Sequence, residues 1–137
     1  MRFQRFHGFQ KFLGFMVLAS GIASPAFAHH SAAGIDRTRS VTLAGTVRQF
    51  GWQNPHSWME IDVPNEAGVV TTWKVEMTSP AFLIRAGWKA TTVKAGDKVT
   101  VKVFPLRSGD PGGLFQSVTL ADGSTLTERA AAPRPTP

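Results

Sequence analysis

The sequence predicts a mainly β fold class, built from five strands and one short helix. Apolar and polar residues alternate along five stretches of the chain, and clusters rich in glycine, proline and asparagine separate these stretches. The period of this alternation changes only once, between the third and the fourth stretch. A length of 137 residues is room for one domain. We therefore expect a single β-rich domain that one helix interrupts.

The first strand is predicted over residues 41–50. Its apolar residues Val41, Leu43 and Val47 fall on one face. Gly45 shares that face, and a glycine within a strand is typical of strong bending or of a bulge, which small closed barrels need. The first strand is therefore expected to bend.

The second and third strands are predicted over residues 56–63 and 69–77, because both stretches alternate with a period of two. Asn54 and Pro55 form a turn before the second strand. Residues 64–68, PNEAG, provide a hairpin connection between the two strands. These strands are therefore expected to pair side by side.

A short helix is predicted over residues 79–87. Ser79 suits the N-cap, and Pro80 fits the first helical position. Arg85 suits the last turn, and Gly87 can end the helix in a left-handed conformation. One helix therefore explains why the apolar alternation changes its period between the third and fourth strands.

Two further strands are predicted over residues 98–104 and 114–120, and residues 125–127 can add edge pairing. Three strands, a helix and two strands are the element order of the OB-fold, a five-stranded Greek-key barrel. A meander or sandwich of the same strands is the alternative, but it leaves the helix without an obvious role. We therefore expect an OB-like five-stranded barrel over residues 40–127, with one short helix between strands 3 and 4.

Residues 1–28 are typical of a signal peptide. Three basic residues accompany an apolar run over residues 12–23, and Ala26-Phe27-Ala28 supplies the small residues that signal peptidase requires. A membrane anchor is the alternative, but the run is shorter than the ~20 residues that span a bilayer. We expect cleavage after Ala28, a periplasmic or secreted location, and no transmembrane segment after cleavage.

The chain that remains after cleavage begins with an extended lead-in, residues 29–39, and ends in a Pro/Ala tail, residues 128–137, that we expect to be disordered. Its net charge is +3, because the signal peptide takes three of the 15 basic residues and none of the nine acidic ones. So mild and dispersed an excess argues against a nucleic-acid partner. The absence of cysteine excludes disulfides and thiolate metal sites.

Several short motifs follow one another after the predicted signal. They are His29-His30-Ser31, Gly45-Thr46-Val47, Phe50, Trp52, Asn54-Pro55-His56, Ser79-Pro80, Ala86-Gly87-Trp88, Gly96-Asp97 and the run VTLADG at residues 118–123. With this set the chain resembles an uncharacterised family of exported bacterial β-domains, classed as a domain of unknown function. The resemblance implies a small exported β-domain, and it brings no catalytic residues to this sequence.

The predicted new N-terminus is the strongest candidate for chemistry. Cleavage frees the α-amine of His29, and this amine can close a chelate ring on a metal ion together with the imidazole Nδ1 of the same residue. A third nitrogen from His56 completes the T-shaped set known as a histidine brace, which suits the preference of Cu(II) for tetragonal nitrogen sites. His56 begins the second strand, beside the loop that borders the binding face of OB-folds. The lead-in can reach it, because seven extended residues span up to about 25 Å.

Other interpretations of the histidines stay open. His30 is a substitute or outer ligand of the brace. Zinc is a second metal for the same residues, although structural zinc sites usually have four ligands. Alternatively, His29 and His30 are simply solvated, and His56 only holds the Asn54-Pro55 turn through a backbone hydrogen bond.

An aromatic ligand face is predicted from Phe50, Trp52 and Trp58, which cluster around the first loop. Exposed aromatic residues on an OB-fold can stack on sugars or bases. Trp58 is the best candidate for exposure, because alternation places it opposite Met59 and Ile61. The other tryptophans, Trp73 and Trp88, are expected to pack in the core and behind the helix.

The sequence favours a binding module over an enzyme. It has no Gly-x-Ser-x-Gly elbow, no His-Glu-x-x-His motif and no phosphate-binding or dinucleotide-binding glycine pattern. An oxidative copper enzyme usually also needs a broad substrate surface, which so small a domain hardly offers. We therefore predict a periplasmic module that binds copper, and no other cofactor, and that buffers copper or delivers it to an unknown exported protein. The alternative is a module that binds a small ligand or a protein through its aromatic face.

Overall fold

The computed structural model describes residues 34–129, in which six strands and one helix follow one another. The elements are β1 (Val41–Gly51), β2 (Trp58–Pro64), β3 (Val70–Glu76), α1 (Pro80–Arg85), β4 (Lys98–Pro105), β5 (Gly112–Thr119) and β6 (Thr125–Thr127). The predicted order of three strands, a helix and two strands is confirmed. β6 is the short edge strand expected at residues 125–127.

The first five strands close into a barrel. The strand order is β3-β2-β1-β4-β5-β6, and an additional pairing of β3 with β5 joins the two ends of the five-stranded part. That closing pair is parallel, whereas the other neighbours are antiparallel. The mainly β, OB-like barrel with one short helix between strands 3 and 4 is therefore confirmed, with β6 as an addition outside the closed barrel.

Alternating side chains from all five barrel strands fill the interior. On β2, Met59 and Ile61 are fully buried, as the alternation predicts. The buried cluster consists of Leu43, Val47, Met59, Ile61, Val75, Met77, Leu83, Trp88, Val93, Val99, Val101, Val103, Phe115 and Val118. Trp73 is only partly buried and packs against this cluster, while Trp88 is part of it.

β1 has two features that suit a curved strand of a closed barrel. Gly45 lies so close to β2 that a Cβ there would be 2.5 Å from the carbonyl oxygen of Asp62. A bulge between Val47 and Gln49 shifts the register with β2. Gly45 is thus followed, a few residues further on, by a bulge that the sequence did not locate.

The helix begins and ends where the sequence predicts. Ser79 occupies the N-cap with an extended ψ of 157°, although its side chain makes no capping hydrogen bond. Pro80 is the first helical residue, and Gly87 follows the helix with a φ of 90°. Leu83 is fully buried, so that the helix contributes one side chain to the core of the barrel.

The chain before β1 is anchored to the barrel. Ile35 is buried and forms a bridge with Leu106, and the amide of Asp36 donates to the Pro105 carbonyl. The predicted signal peptide, residues 29–33 of the lead-in and residues 130–137 of the tail lie outside the described residues. Within residues 34–129, no helix combines the length and the apolar character needed to cross a membrane.

Candidate functional site

A pocket of about 360 Å³ opens on the outer face of the barrel, between β2, β3 and the start of β5. We call it the His56 pocket. Its lining residues are Ile35, His56, Ser57, Trp58, Lys74, Glu76, Leu106, Pro111, Gly112 and Gly113. The pocket combines a histidine, a carboxylate, an ammonium group and an indole with apolar walls, which is a chemical variety suited to binding.

The pairing of β2 with β3 brings the polar members of the pocket together. Trp58 is opposite Glu76 in the register, and their neighbours Met59 and Val75 are opposite each other inside the barrel. Because side chains alternate along a strand, Trp58 and Glu76 both lie on the outer face. His56 lies two residues before β2 begins, near the end of β3.

His56 and Glu76 are in direct contact. The imidazole Nδ1 of His56 lies 2.5 Å from Oε1 of Glu76, and both side chains are about half exposed (49% and 45%). Nδ1 is therefore occupied by its contact with Glu76, and the other ring nitrogen, Nε2, is left for another partner. Glu76 was not singled out from the sequence, because finding it requires the register between β2 and β3.

A second carboxylate, Glu128, lies close to this pair. Its Oε1 accepts a hydrogen bond of 2.6 Å from the backbone amide of Thr78. Burial raises the pKa of Glu128 above its ordinary value, while the Thr78 amide and the charge of His56 act in the opposite direction; the charge of Glu76 adds to the rise. His56 thus lies near two carboxylates, while the ammonium group of Lys74 lines the same pocket.

Among the described residues, His56 is not part of a grouped set of metal ligands. Within residues 34–129, no group of three or more histidine, aspartate or glutamate side chains is arranged to hold a metal ion. His29 and His30 lie outside the described residues, so the structure does not place them relative to His56.

The three residues of the predicted aromatic face lie on two sides of the strands. Phe50 is in register with the buried Met59, because the bulge in β1 shifts the alternation by one residue. Its ring packs 5.8 Å from Trp52 and 6.1 Å from Trp88, and both Phe50 and Trp52 are partly buried against the core. Trp58 instead lines the His56 pocket on the outer face, with Lys74 Nζ 5.6 Å from its ring centroid.

Sequence reasoning named His56 and Trp58 and missed the other polar residues of the pocket. Lys74 and Glu76 occupy positions of β3 that alternate with the buried Val75, so their outward direction was readable from the sequence. Their proximity to Trp58 depends on the hairpin register, in which Pro64 pairs with Val70. A reliable register for that turn would have identified Glu76.

The comparison with protein families gives a match that covers most of the chain. The family of unknown function DUF6152 matches residues 17–116, which confirms the expected resemblance to a domain of unknown function. No curated protein matches the chain, and no solved structure does.

Proposed function

The chain belongs to the family of unknown function DUF6152, and we propose that it is an exported copper-binding module. Signal cleavage after Ala28 would free His29, whose α-amine and Nδ1 would hold Cu(II) together with the imidazole of His56. His30 would serve as a substitute or outer ligand. Such a module would buffer copper in the periplasm or deliver it to an exported partner.

The position of Ile35 is the observation that carries this proposal. Ile35 lines the same pocket as His56, and it is held there by its bridge with Leu106. The amide of Arg107 also donates to the carbonyl of Gly34. The lead-in therefore meets the barrel at the pocket wall, and the residues from His29 to Ile35 span up to about 25 Å when extended. That reach supports a meeting of His29 with His56.

The ligand chemistry favours copper over other metals. One amine and two imidazole nitrogens form the tetragonal nitrogen set that Cu(II) prefers. A structural zinc site usually requires four protein ligands. Within residues 34–129, no grouped set of three histidine, aspartate or glutamate side chains is available to combine with the N-terminus. The half-exposed His56 side chain is accessible for transfer of the metal, which suits buffering or delivery.

A module that binds a small ligand or a protein is the second candidate, and the outward position of Trp58 supports it. Trp58 and Lys74 line the pocket together, so a planar ligand could stack on the indole beside a positive charge. Phe50 and Trp52 pack against the core, and of the three predicted aromatic residues Trp58 is therefore the one that this candidate uses.

A Cu(II) titration of protein that has been exported and cleaved by its own host machinery tests the proposal, with electron paramagnetic resonance as the readout. We compare it with a His56→Ala variant and with a chain carrying three extra alanines before His29. Three are needed, because one or two would place a histidine third in the chain and create a different copper site. A His30→Ala variant serves as the matched control, since it keeps the amine, His29 and His56.

We expect one equivalent of Cu(II) to bind with a tetragonal nitrogen spectrum. The signal should be lost in the extended chain, weakened in His56→Ala and largely kept in His30→Ala. Binding that is indifferent to both the extension and His56→Ala would overturn the proposal. A change in tryptophan emission on addition of non-metal ligands, abolished by Trp58→Ala, would then favour the second candidate.

A further inference from the structure

Glu76 and His56 are held in contact by the backbone on either side of them. Glu76 is the last residue of β3 and pairs with Trp58. Two backbone hydrogen bonds continue this ladder, from the Ser57 amide to the Thr78 carbonyl and from the Met77 amide to the Ser57 carbonyl. The carboxylate therefore approaches the imidazole from a fixed strand position.

The atom that Glu76 contacts decides which nitrogen of His56 can bind a metal. A neutral imidazole carries one N–H donor and one unprotonated nitrogen. When Nδ1–H donates to the carboxylate of Glu76, Nε2 is left with its lone pair. Metal-bound histidines usually donate their other ring N–H to a carboxylate or carbonyl, which orients the ring and makes the ligand more basic.

The neighbouring charged groups have other contacts. Glu128 accepts its hydrogen bond from the Thr78 amide, and Lys74 Nζ lies over the ring of Trp58. Glu60, in register with Lys74, lies further along β2. Within the described part of the chain, the ion pair at His56 is with Glu76.

We infer that Glu76 is the positioning residue of the copper site: it accepts a hydrogen bond from Nδ1 of His56 and so presents Nε2 to Cu(II). This inference rests on the proposed function. Glu76 itself does not bind the metal. It fixes the tautomer and the orientation of the imidazole, and its negative charge stabilises the cation bound on the other side of the ring.

Pulsed electron paramagnetic resonance provides a test that a merely structural role of Glu76 would not pass. The echo modulation of a Cu(II)-bound imidazole comes from its remote nitrogen, and it responds to the hydrogen bond at that nitrogen. The modulation that disappears in His56→Ala identifies the remote nitrogen of His56. We would record it, together with the Cu(II) affinity, for the natively cleaved wild type, Glu76→Gln and Glu76→Asp, with Glu60→Gln as the control.

Glu76→Gln should lower the Cu(II) affinity by about 10- to 100-fold, as loss of an outer carboxylate partner usually does. It should also change the His56 modulation, and Glu76→Asp should recover part of both. Glu60→Gln removes the same charge from the same outer face and should leave both unchanged. Thermal unfolding of the copper-free variants shows whether the fold is kept, and the half-exposed position of Glu76 predicts that it is.

Failure of the inference is distinguishable from failure of the proposed function. If the wild type shows no tetragonal copper signal, the proposed function fails. If the wild type shows that signal but Glu76→Gln keeps its affinity and its modulation, the copper site stands and Glu76 has no positioning role. An equal loss in Glu76→Gln and Glu60→Gln would reduce the effect to overall charge, which also overturns the inference.

Discussion

Two groups of aromatic residues lie on opposite faces of β1 and β2. The inner group consists of Phe50, Trp52, Trp88 and Phe115, whose neighbouring rings are 5.5 to 6.1 Å apart. On the outer face, Trp58 lines the His56 pocket beside polar residues. Adjacent positions of the same sheet thus place aromatic side chains in two different environments.

The two environments differ in burial and in the polar groups that surround each indole. Trp88 is 2% exposed, packs edge-on against Phe115, and donates its Nε1–H to the carbonyl of Thr127 at 2.8 Å. Trp58 has a charged neighbour, Lys74, and an open pocket in front of it. The inner group therefore contributes to stability, whereas the outer residue is available to a ligand.

Truncation of one tryptophan from each group gives the largest expected contrast. Trp88→Ala should lower the free energy of unfolding by about 3–5 kcal/mol, because it leaves a cavity in the core. Trp58→Ala should cost about 1 kcal/mol, since its ring is partly exposed and its loss opens a surface pocket. Urea unfolding followed by circular dichroism measures both. Equal costs for the two variants would show that the outer tryptophan belongs to the core after all.

The fold was predictable because its signals are local. Alternation identified all five barrel strands, and Pro80 and Gly87 marked the ends of the helix at the right places. Each of these signals depends on a residue's own backbone preference or on the face that it shares with neighbours two positions away. The element order then restricted the topology to a few arrangements. Of these, the OB-like barrel is the one that gives the helix a structural role.

The site was predictable only in part, because its assembly depends on register. A bulge between Val47 and Gln49 turns Phe50 inward, and one extra residue in a strand exchanges its two faces. The sequence gives no sign of that bulge beyond Gly45. The contact of His56 with Glu76 likewise joins residues 20 positions apart. Whether His29 meets His56 stays a prediction, which the copper titration tests.

Gly51, the strand partner of Trp58, offers a sharper test of the comparison. Gly51 pairs with Trp58, and a Cβ at this position would overlap the indole ring. We expect Gly51→Ala to cost about 1–3 kcal/mol in wild type, as overpacking usually does. In a Trp58→Ala background, where the ring is absent, the same substitution should cost close to nothing, and the double-mutant cycle isolates the coupling.

Gly34→Ala is the matched control for Gly51→Ala, because a Cβ there meets nothing within 4 Å. It should leave the free energy of unfolding unchanged in both backgrounds. If Gly51→Ala costs the same with and without Trp58, the conflict is with the backbone of β1, and the outer tryptophan does not explain why glycine is needed.

The smallest expected effect is a pH dependence that arises at Glu128, the second carboxylate near His56. Burial raises the pKa of Glu128 above its ordinary value of 4.5, so the folded protein binds this proton more tightly than the unfolded chain does. The stability that the protonated group contributes is complete below pH 4.5 and is lost as the pH rises through the folded pKa. Glu128→Gln removes the titration and keeps an oxygen that can accept from the Thr78 amide.

We therefore expect the stability of Glu128→Gln, relative to wild type, to increase as the pH rises above 4.5 and then to level off. Asp36 and Asp122 do not mimic this change. Side-chain hydrogen bonds from Thr38 and Ser124 lower the pKa values of these two carboxyls, so their contribution is lost only as the pH falls below 3.8. Urea unfolding at a series of pH values measures the difference. A difference that is constant across the series would mean that burial does not shift the titration of Glu128 in the folded protein.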